Sequence, residues 1–245
     1  MTRQQPFSGR PQDLPTKAEL ARLRVEYEKD ERLAYLGHLE VIATVERCVR
    51  RAGLPFSIGN GFARRMRLQF SGALPVGASS ACEYYDIRLT ERVDAREALG
   101  LLRAATPPAL APTRAAYVPG ADPALEAWLD RSSWEVELVA SPVGAALIER
   151  AVESLRARGT LTYLRGEREK TVDLASTLVG VSAVDAPCGS VRLRVETRSG
   201  ERASLRLRAL VDAALAETGR GMPDAVRVRR VAQRHEEDGR LVEPL

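Results

Sequence analysis

Apolar residues recur along this chain at two spacings, and the switches between them mark out its elements. Leu23, Val25 and Tyr27 alternate with Arg22, Arg24, Glu26 and Glu28, the pattern of a strand with one buried face. A short extended piece through Leu33 and Tyr35 follows. The period then lengthens: Val41, Val45, Cys48, Val49 and Ala52 recur at three- and four-residue steps and line one helical face, while Glu46, Arg47, Arg50 and Arg51 occupy the rest. Gly53 stops this helix, because glycine accepts positive φ without a Cβ clash. Leu68 and Phe70 open a strand broken by Pro75 and Gly77, and residues 82–89 read as its partner, with Tyr85, Ile87 and Leu89 on one face. A helix over residues 94–105 with Asp94 as N-cap, ended by Pro107 and Pro108, and a strand over residues 113–118 complete the order β, α, β, β, α, β.

Residues 119–133 begin with Pro-Gly, carry a short helical turn around Trp128 and end polar, so the domain junction is placed there. Beyond it the same order recurs. Trp134, Val136 and Leu138 alternate as a strand; Val143, Leu147, Ile148, Ala151, Val152 and Leu155 make an amphipathic helix ending near Gly159. Residues 161–184 hold extended pieces around a charged turn at residues 166–170. Val191, Leu193 and Val195 define another strand, Leu207, Leu210, Val211, Ala214 and Leu215 a second helix, and Val226 and Val228 a last strand. The predicted fold class is α+β: two tandem ferredoxin-like (βαββαβ) domains with antiparallel sheets, covering residues 21–118 and 134–234. A flexible N-terminal tail of residues 1–20, the linker at 119–133 and a C-terminal tail of residues 235–245 complete the division.

Composition narrows the function without naming it. A chain of 245 residues suits two ordinary domains. The 37 basic against 33 acidic residues give a formal charge of only +4, so clustering and not net charge must carry any argument for a polyanionic partner. Cys48, Cys82 and Cys188 are too far apart in sequence for a CxxC pair or a three-thiolate cluster, so no metal and no cofactor is expected. No apolar run approaches the roughly 20 residues that span a bilayer, and residues 1–20 lack the apolar core of a secretory signal. A cytoplasmic protein without a membrane partner is the expectation.

The densest basic region is Arg47, Arg50, Arg51, Arg64, Arg65 and Arg67, interrupted by Gly59, Asn60, Gly61 and Phe62. The glycines permit an unusual backbone path, guanidinium groups donate paired hydrogen bonds to phosphate, and Phe62 and Phe70 offer rings for unpaired bases. RNA contact is one reading; a solvated helix face paired with glutamates is the other. His38, one of two histidines, lies at a helix start, where it is either a general base assisted by Arg64 or Arg65 or a group that fixes the path into the helix. A further series, Arg192, Arg194, Arg227 and Arg229, alternates with apolar residues on two strands. It makes either an anion platform or an ordinary charged sheet surface, or else is buried between the domains with acidic partners.

The stretches RVEYEKDERLAYLGHLEVIATVERCVRRAGLPFSIGNGF and LQFSGALPVGASSACEYYDIRLT, with RGEREKTVDL further on, resemble the radical-SAM-linked protein family, the bacterial domain of unknown function 2344. The chain departs from that family's pattern at Gly37, where serine is common, at Glu40, where aspartate is common, and at residues 63–66, which replace a proline-containing loop. The resemblance implies a role beside a radical-SAM enzyme and near RNA metabolism. Without three clustered cysteines the chain is not that enzyme itself. An accessory protein that binds tRNA or rRNA and presents it to a radical-SAM partner is the leading expectation. The alternatives are a module that docks on the enzyme without touching RNA, and a metal-independent ribonuclease using His38.

Overall fold

The computed structural model describes residues 20–59, 62–199 and 204–245. Apart from Leu20, the expected N-terminal tail lies outside them, as do Asn60 and Gly61 of the proposed contact loop. The first half contains β1 (Ala21–Lys29), α1 (His38–Arg51), β2 (Leu68–Phe70), β3 (Ala78–Leu89), α2 (Ala95–Ala105) and β4 (Pro112–Val118). After α3 (Leu125–Trp128) come β5 (Arg131–Val139), α4 (Ala145–Ala157), β6 (Thr160–Arg165), β7 (Arg168–Asp173), α5 (Leu174–Thr177), β8 (Leu178–Ala186), β9 (Ser190–Arg198), α6 (Leu207–Thr218), β10 (Ala225–Glu237) and β11 (Arg240–Val242).

Helix boundaries follow local chemistry. Glu40 reaches back to the Gly37 amide at 2.7 Å and starts α1, and Val41, Val45, Cys48 and Val49 are its buried stripe. Asp94 accepts from the Arg96 and Glu97 amides at the start of α2. Gly219, in the left-handed region at φ 64°, ends α6. Helices α1 and α2 cover the first half's core around Val25, Ile87 and Leu102, while α4 and α6 cover the second around Val136, Ile148 and Leu210.

A mixed α+β architecture results, but the two halves share one mostly antiparallel sheet in the order β4-β1-β3-β10-β5-β9-β8, with β2 on β3 and β11 on β10. The junction comes from unequal strand lengths. β3 has twelve residues and β2 only three; β2 pairs with Tyr85, Asp86 and Ile87, leaving the other end of that edge free. Ala78, Ser79 and Ser80 there pair in parallel with Val228, Arg229 and Arg230. An unpaired edge exposes backbone donors and acceptors, and the second half satisfies them.

The face of the first half turned away from α1 and α2 is also covered. Leu125, Trp128, Leu129 and the terminal Leu245 pack on Cys82 and Tyr84. Beside them Asp86 takes Arg22 Nε at 2.6 Å and Arg24 Nε at 2.9 Å, while Arg22 also donates to the carbonyls of Asp122 and Pro123 and Arg24 to that of Pro244. Arg22 and Arg24, on the polar side of the alternation, are therefore only 2% exposed. The outer face of the second half is different. Glu137 sits between Arg192 (3.9 Å) and Arg227 (3.0 Å), and Glu135 faces Arg194 (3.7 Å). Interleaved carboxylates make this face a solvated ion-pair ladder and remove the argument for an anion platform. β10 runs through Glu237 and turns at Asp238 and Gly239 into β11, so His235 is a strand residue stacked 5.0 Å from Trp128.

Candidate nucleic-acid interface

The segment after α1 is laid over the end of β3 as an irregular hairpin. Phe56 bridges Leu89 and Ile58 bridges Met66. The Ser57 amide donates to Arg88 O (2.7 Å), Arg67 N to Ser57 O (2.9 Å), and Gly59 N to Arg65 O (2.8 Å). Leu54, Ile58 and Met66 are buried beneath it, which holds the excursion to the scaffold. Its outer side is polar and aromatic: Phe62 is fully exposed, Arg65 is exposed, and Arg64 takes φ 44°, a left-handed conformation uncommon for a side chain of its size.

The helical arginines approach this loop from one side. Arg50 stacks on the Phe56 ring, 5.2 Å from its centroid, at the base of the hairpin. Arg51 donates to Ala105 O at 3.1 Å, and Arg47 to Thr44 Oγ1 at 3.0 Å. Among the described residues none of these three is paired with a carboxylate.

On the other side, across β2 and β3, lies a cavity of about 290 Å³ lined by Arg67, Leu68, Gln69, Asp86 and Arg88. Arg67 Nε is buried there without a partner. Arg88 donates to Gly120 O at 3.0 Å, and its pKa is pushed down, first by burial and then by the positive charge of Arg22, with Asp86 opposing the shift and Arg67 adding to it. Arg67 and Arg88 thus share one cavity at the end of the sheet with Asp86, whose carboxylate is already committed to Arg22 and Arg24. Such crowding raises the local potential, which an arriving anion relieves.

His38 is not part of this group. It starts α1, whereas Arg50 and Arg51 end it, roughly 20 Å away at 1.5 Å per residue. Its ring meets Phe70 edge-on at 5.9 Å and borders a separate cleft between the halves. Arg22, Gln69 and Arg88 were not singled out from sequence. Their only signal was the polar side of alternating strands, which also describes any solvated sheet face. Among the described residues no group of three or more His, Cys, Asp or Glu side chains is placed to hold a metal ion, and no helix is long and apolar enough to cross a membrane.

Residues 22–207 match the family described as "uncharacterized protein conserved in bacteria (DUF2344)". No curated protein matches the sequence. Among solved structures, the chain is similar to a Cbf5-Nop10-Gar1 complex, at 12% identity over 88% of this chain and 50% of that one, with a TM-score of 0.48. It is similar to an archaeal box H/ACA sRNP Nop10-Cbf5 complex at 13% identity, over 90% and 50% of the two chains, with a TM-score of 0.41. The chain spans about half the length of both. An unknown protein from Galdieria sulphuraria is 11% identical over 86% of this chain and 98% of its own, with a TM-score of 0.26. At such identities and TM-scores no ligand or activity passes from these proteins to this chain.

Proposed function

We propose that this chain, which belongs to the family of uncharacterized proteins conserved in bacteria, DUF2344, binds single-stranded RNA at the loop formed by residues 59–67 and presents it to a radical-SAM partner enzyme. The observation that carries the RNA reading is the convergence of Arg67 and Arg88 on a cavity that holds the buried, unpartnered Arg67 Nε. Phe62 stands fully exposed in the adjoining loop. Phosphate suits the guanidinium groups and an unstacked base suits the ring, a combination that single strands offer and duplexes do not. Gly59, Phe62, Arg64, Arg65 and Arg67 are the proposed contacts, with Asn60 and Gly61 completing the loop in sequence and Arg47, Arg50 and Arg51 flanking it. The partner enzyme is drawn from the sequence resemblance.

Within this reading the scaffold is two ferredoxin-like units. Support comes from the strand orders β4-β1-β3-β2 and β10-β5-β9-β8, which place each half's four strands in the same relative order, and from two helices on one face of each.

The test is binding of a fluorescent single-stranded RNA followed by anisotropy across a salt series. Affinity that falls with salt, and falls further in the Arg64→Ala/Arg65→Ala protein with a shallower salt slope, supports the reading. Retention that is absent at low salt, or indifferent to both substitutions, overturns it.

A second reading, docking on the partner enzyme without RNA, is favoured by Tyr35, Leu39 and Val76, three large apolar side chains left exposed around the start of α1 and the turn before β3. Co-purification with the enzyme after nuclease treatment that is lost in Leu39→Ser would favour it over RNA presentation.

A further inference from the structure

Between the two halves lies a cleft of about 630 Å³, a size that suits a ligand of nucleotide dimensions. The turn through Ala73 and Leu74 closes it on the side of the first half. The β6–β7 arm overhangs it with Tyr163, Arg165 and Lys170, and Ser204 to Arg206 lead from its wall into α6.

Its described lining carries five arginine or lysine side chains against one carboxylate, that of Glu126. Two of the five are neutralised, Arg198 by Glu236 and Arg230 by Glu83. Arg165, Lys170 and Arg206 have no such partner among the described residues. Arg230, only 5% exposed, donates from one terminal nitrogen to Glu83 (3.1 Å) and Gly72 O (3.3 Å) and lies 4.6 Å from the Trp134 ring centre, yet its Nε is buried without a partner. A buried donor left unmatched costs free energy that a bound acceptor returns. Independently, the twelve-residue α6 begins at this wall with no side-chain cap on its first amides, Arg206 standing at the N-cap position. Uncapped amides at a helix start complement an oxyanion.

We infer that this cleft is a binding site for a phosphorylated nucleotide, its phosphate held by Lys170 and by Arg206 at the N-cap of α6, and its base lying toward Tyr163. The phosphate belongs either to a free nucleoside monophosphate or to the 5′ end of an RNA; the chemistry of recognition is the same. The site lies at the opposite end of α1 from the arginine loop, so it stands whether or not that loop binds RNA.

Isothermal titration calorimetry on the full chain tests it with six probes: adenosine 5′-monophosphate, uridine 5′-monophosphate, the two parent nucleosides, and a trinucleotide RNA with and without a 5′-phosphate. Binding of a phosphorylated probe at least about tenfold tighter than its unphosphorylated counterpart, weakened about tenfold or more in Lys170→Ala and in Arg206→Ala and unchanged in Arg64→Ala/Arg65→Ala, is the expected result. Binding of the free monophosphates assigns the site to a small nucleotide; binding of the 5′-phosphorylated trinucleotide alone assigns it to an RNA end. Thermal melts of both variants check folding, and both side chains lie outside the core. The inference is overturned if no phosphorylated probe binds at millimolar concentration, if nucleosides bind as well as their monophosphates, or if the folded variants bind like the parent.

Discussion

Arg22 and Asp86, set diagonally on neighbouring strands and both almost wholly removed from solvent, meet at 2.6 Å. Arg24, directly opposite Asp86 in the register, completes the group, and the two guanidiniums tie the chain at Asp122, Pro123 and Pro244 onto the sheet. Removing one member of a buried ion pair strands the others without compensation. Asp86→Ala is therefore expected to lower stability by about 3–5 kcal/mol. The pair Arg114 and Glu26 is the control: Arg114 is exposed and Glu26 keeps its bonds from Tyr84 and Thr113, so Arg114→Ala should cost no more than about 1 kcal/mol. Urea denaturation of the two variants checks the contrast, and similar midpoints would refute it.

Alkaline stability follows from four buried acids. The Cys82 thiol is pushed up to about 12 by burial and, secondarily, by Glu83, and burial likewise raises Tyr27, Tyr84 and Tyr85. The unfolded chain releases these protons first, so their contribution is complete below the ordinary thiol and phenol values. It is lost as pH rises from about 9 toward 12, at up to about 1.4 kcal/mol per pH unit for each group. Absorbance of the six tyrosines, followed beside circular dichroism across this range, checks it. Tyr27, Tyr84 and Tyr85 should ionise only together with loss of the far-ultraviolet helix signal. Their titration without unfolding would contradict this packing.

Thiol reactivity should separate the three cysteines. Cys188 is exposed, whereas Cys48 and Cys82 are buried; a thiolate must form and be reached before it reacts. At pH 8 Ellman's reagent should modify Cys188 quickly and the other two only in denaturant. Cys188→Ser should abolish the fast phase and leave two slow thiols.

Phe62 separates binding from folding, because its ring touches solvent and not the core. Phe62→Ala should leave the thermal midpoint within about 1 °C, since surface changes of this kind stay near zero in free energy. It should weaken single-stranded RNA by about 1–3 kcal/mol, the range for one stacked base. Anisotropy titration beside a melt measures both, and equal affinities would remove the ring from the interface.

Much of the local structure was legible in one dimension. The stripe Val41, Val45, Cys48, Val49 and the stripe Leu207, Leu210, Val211, Ala214, Leu215 each place a helix whose apolar face is buried as the spacing requires. Residues 161–184, read as extended pieces around a charged turn at residues 166–170, hold the β6–β7 hairpin, with Gly166 at φ 62°, and most of β8. Arg22 and Arg24 were misjudged. Alternation says which residues share a side of a strand, but it assigns solvent to the polar side by default, and here α3 and the residues near Leu245 cover that side.

Periodicity and glycine placement thus determined the principal helices and strands and the place of the arginine-rich loop, because these depend on interactions within a few residues. Tertiary structure decided that Val228 would run beside Ala78 in a shared sheet, that Arg67 and Arg88 would converge, and that Lys170 and Arg206 would border one cleft. Those outcomes depend on which strand edge is left unpaired and on which distant segment satisfies its backbone groups. Contacts between residues far apart in the chain leave no spacing in the sequence from which to read them.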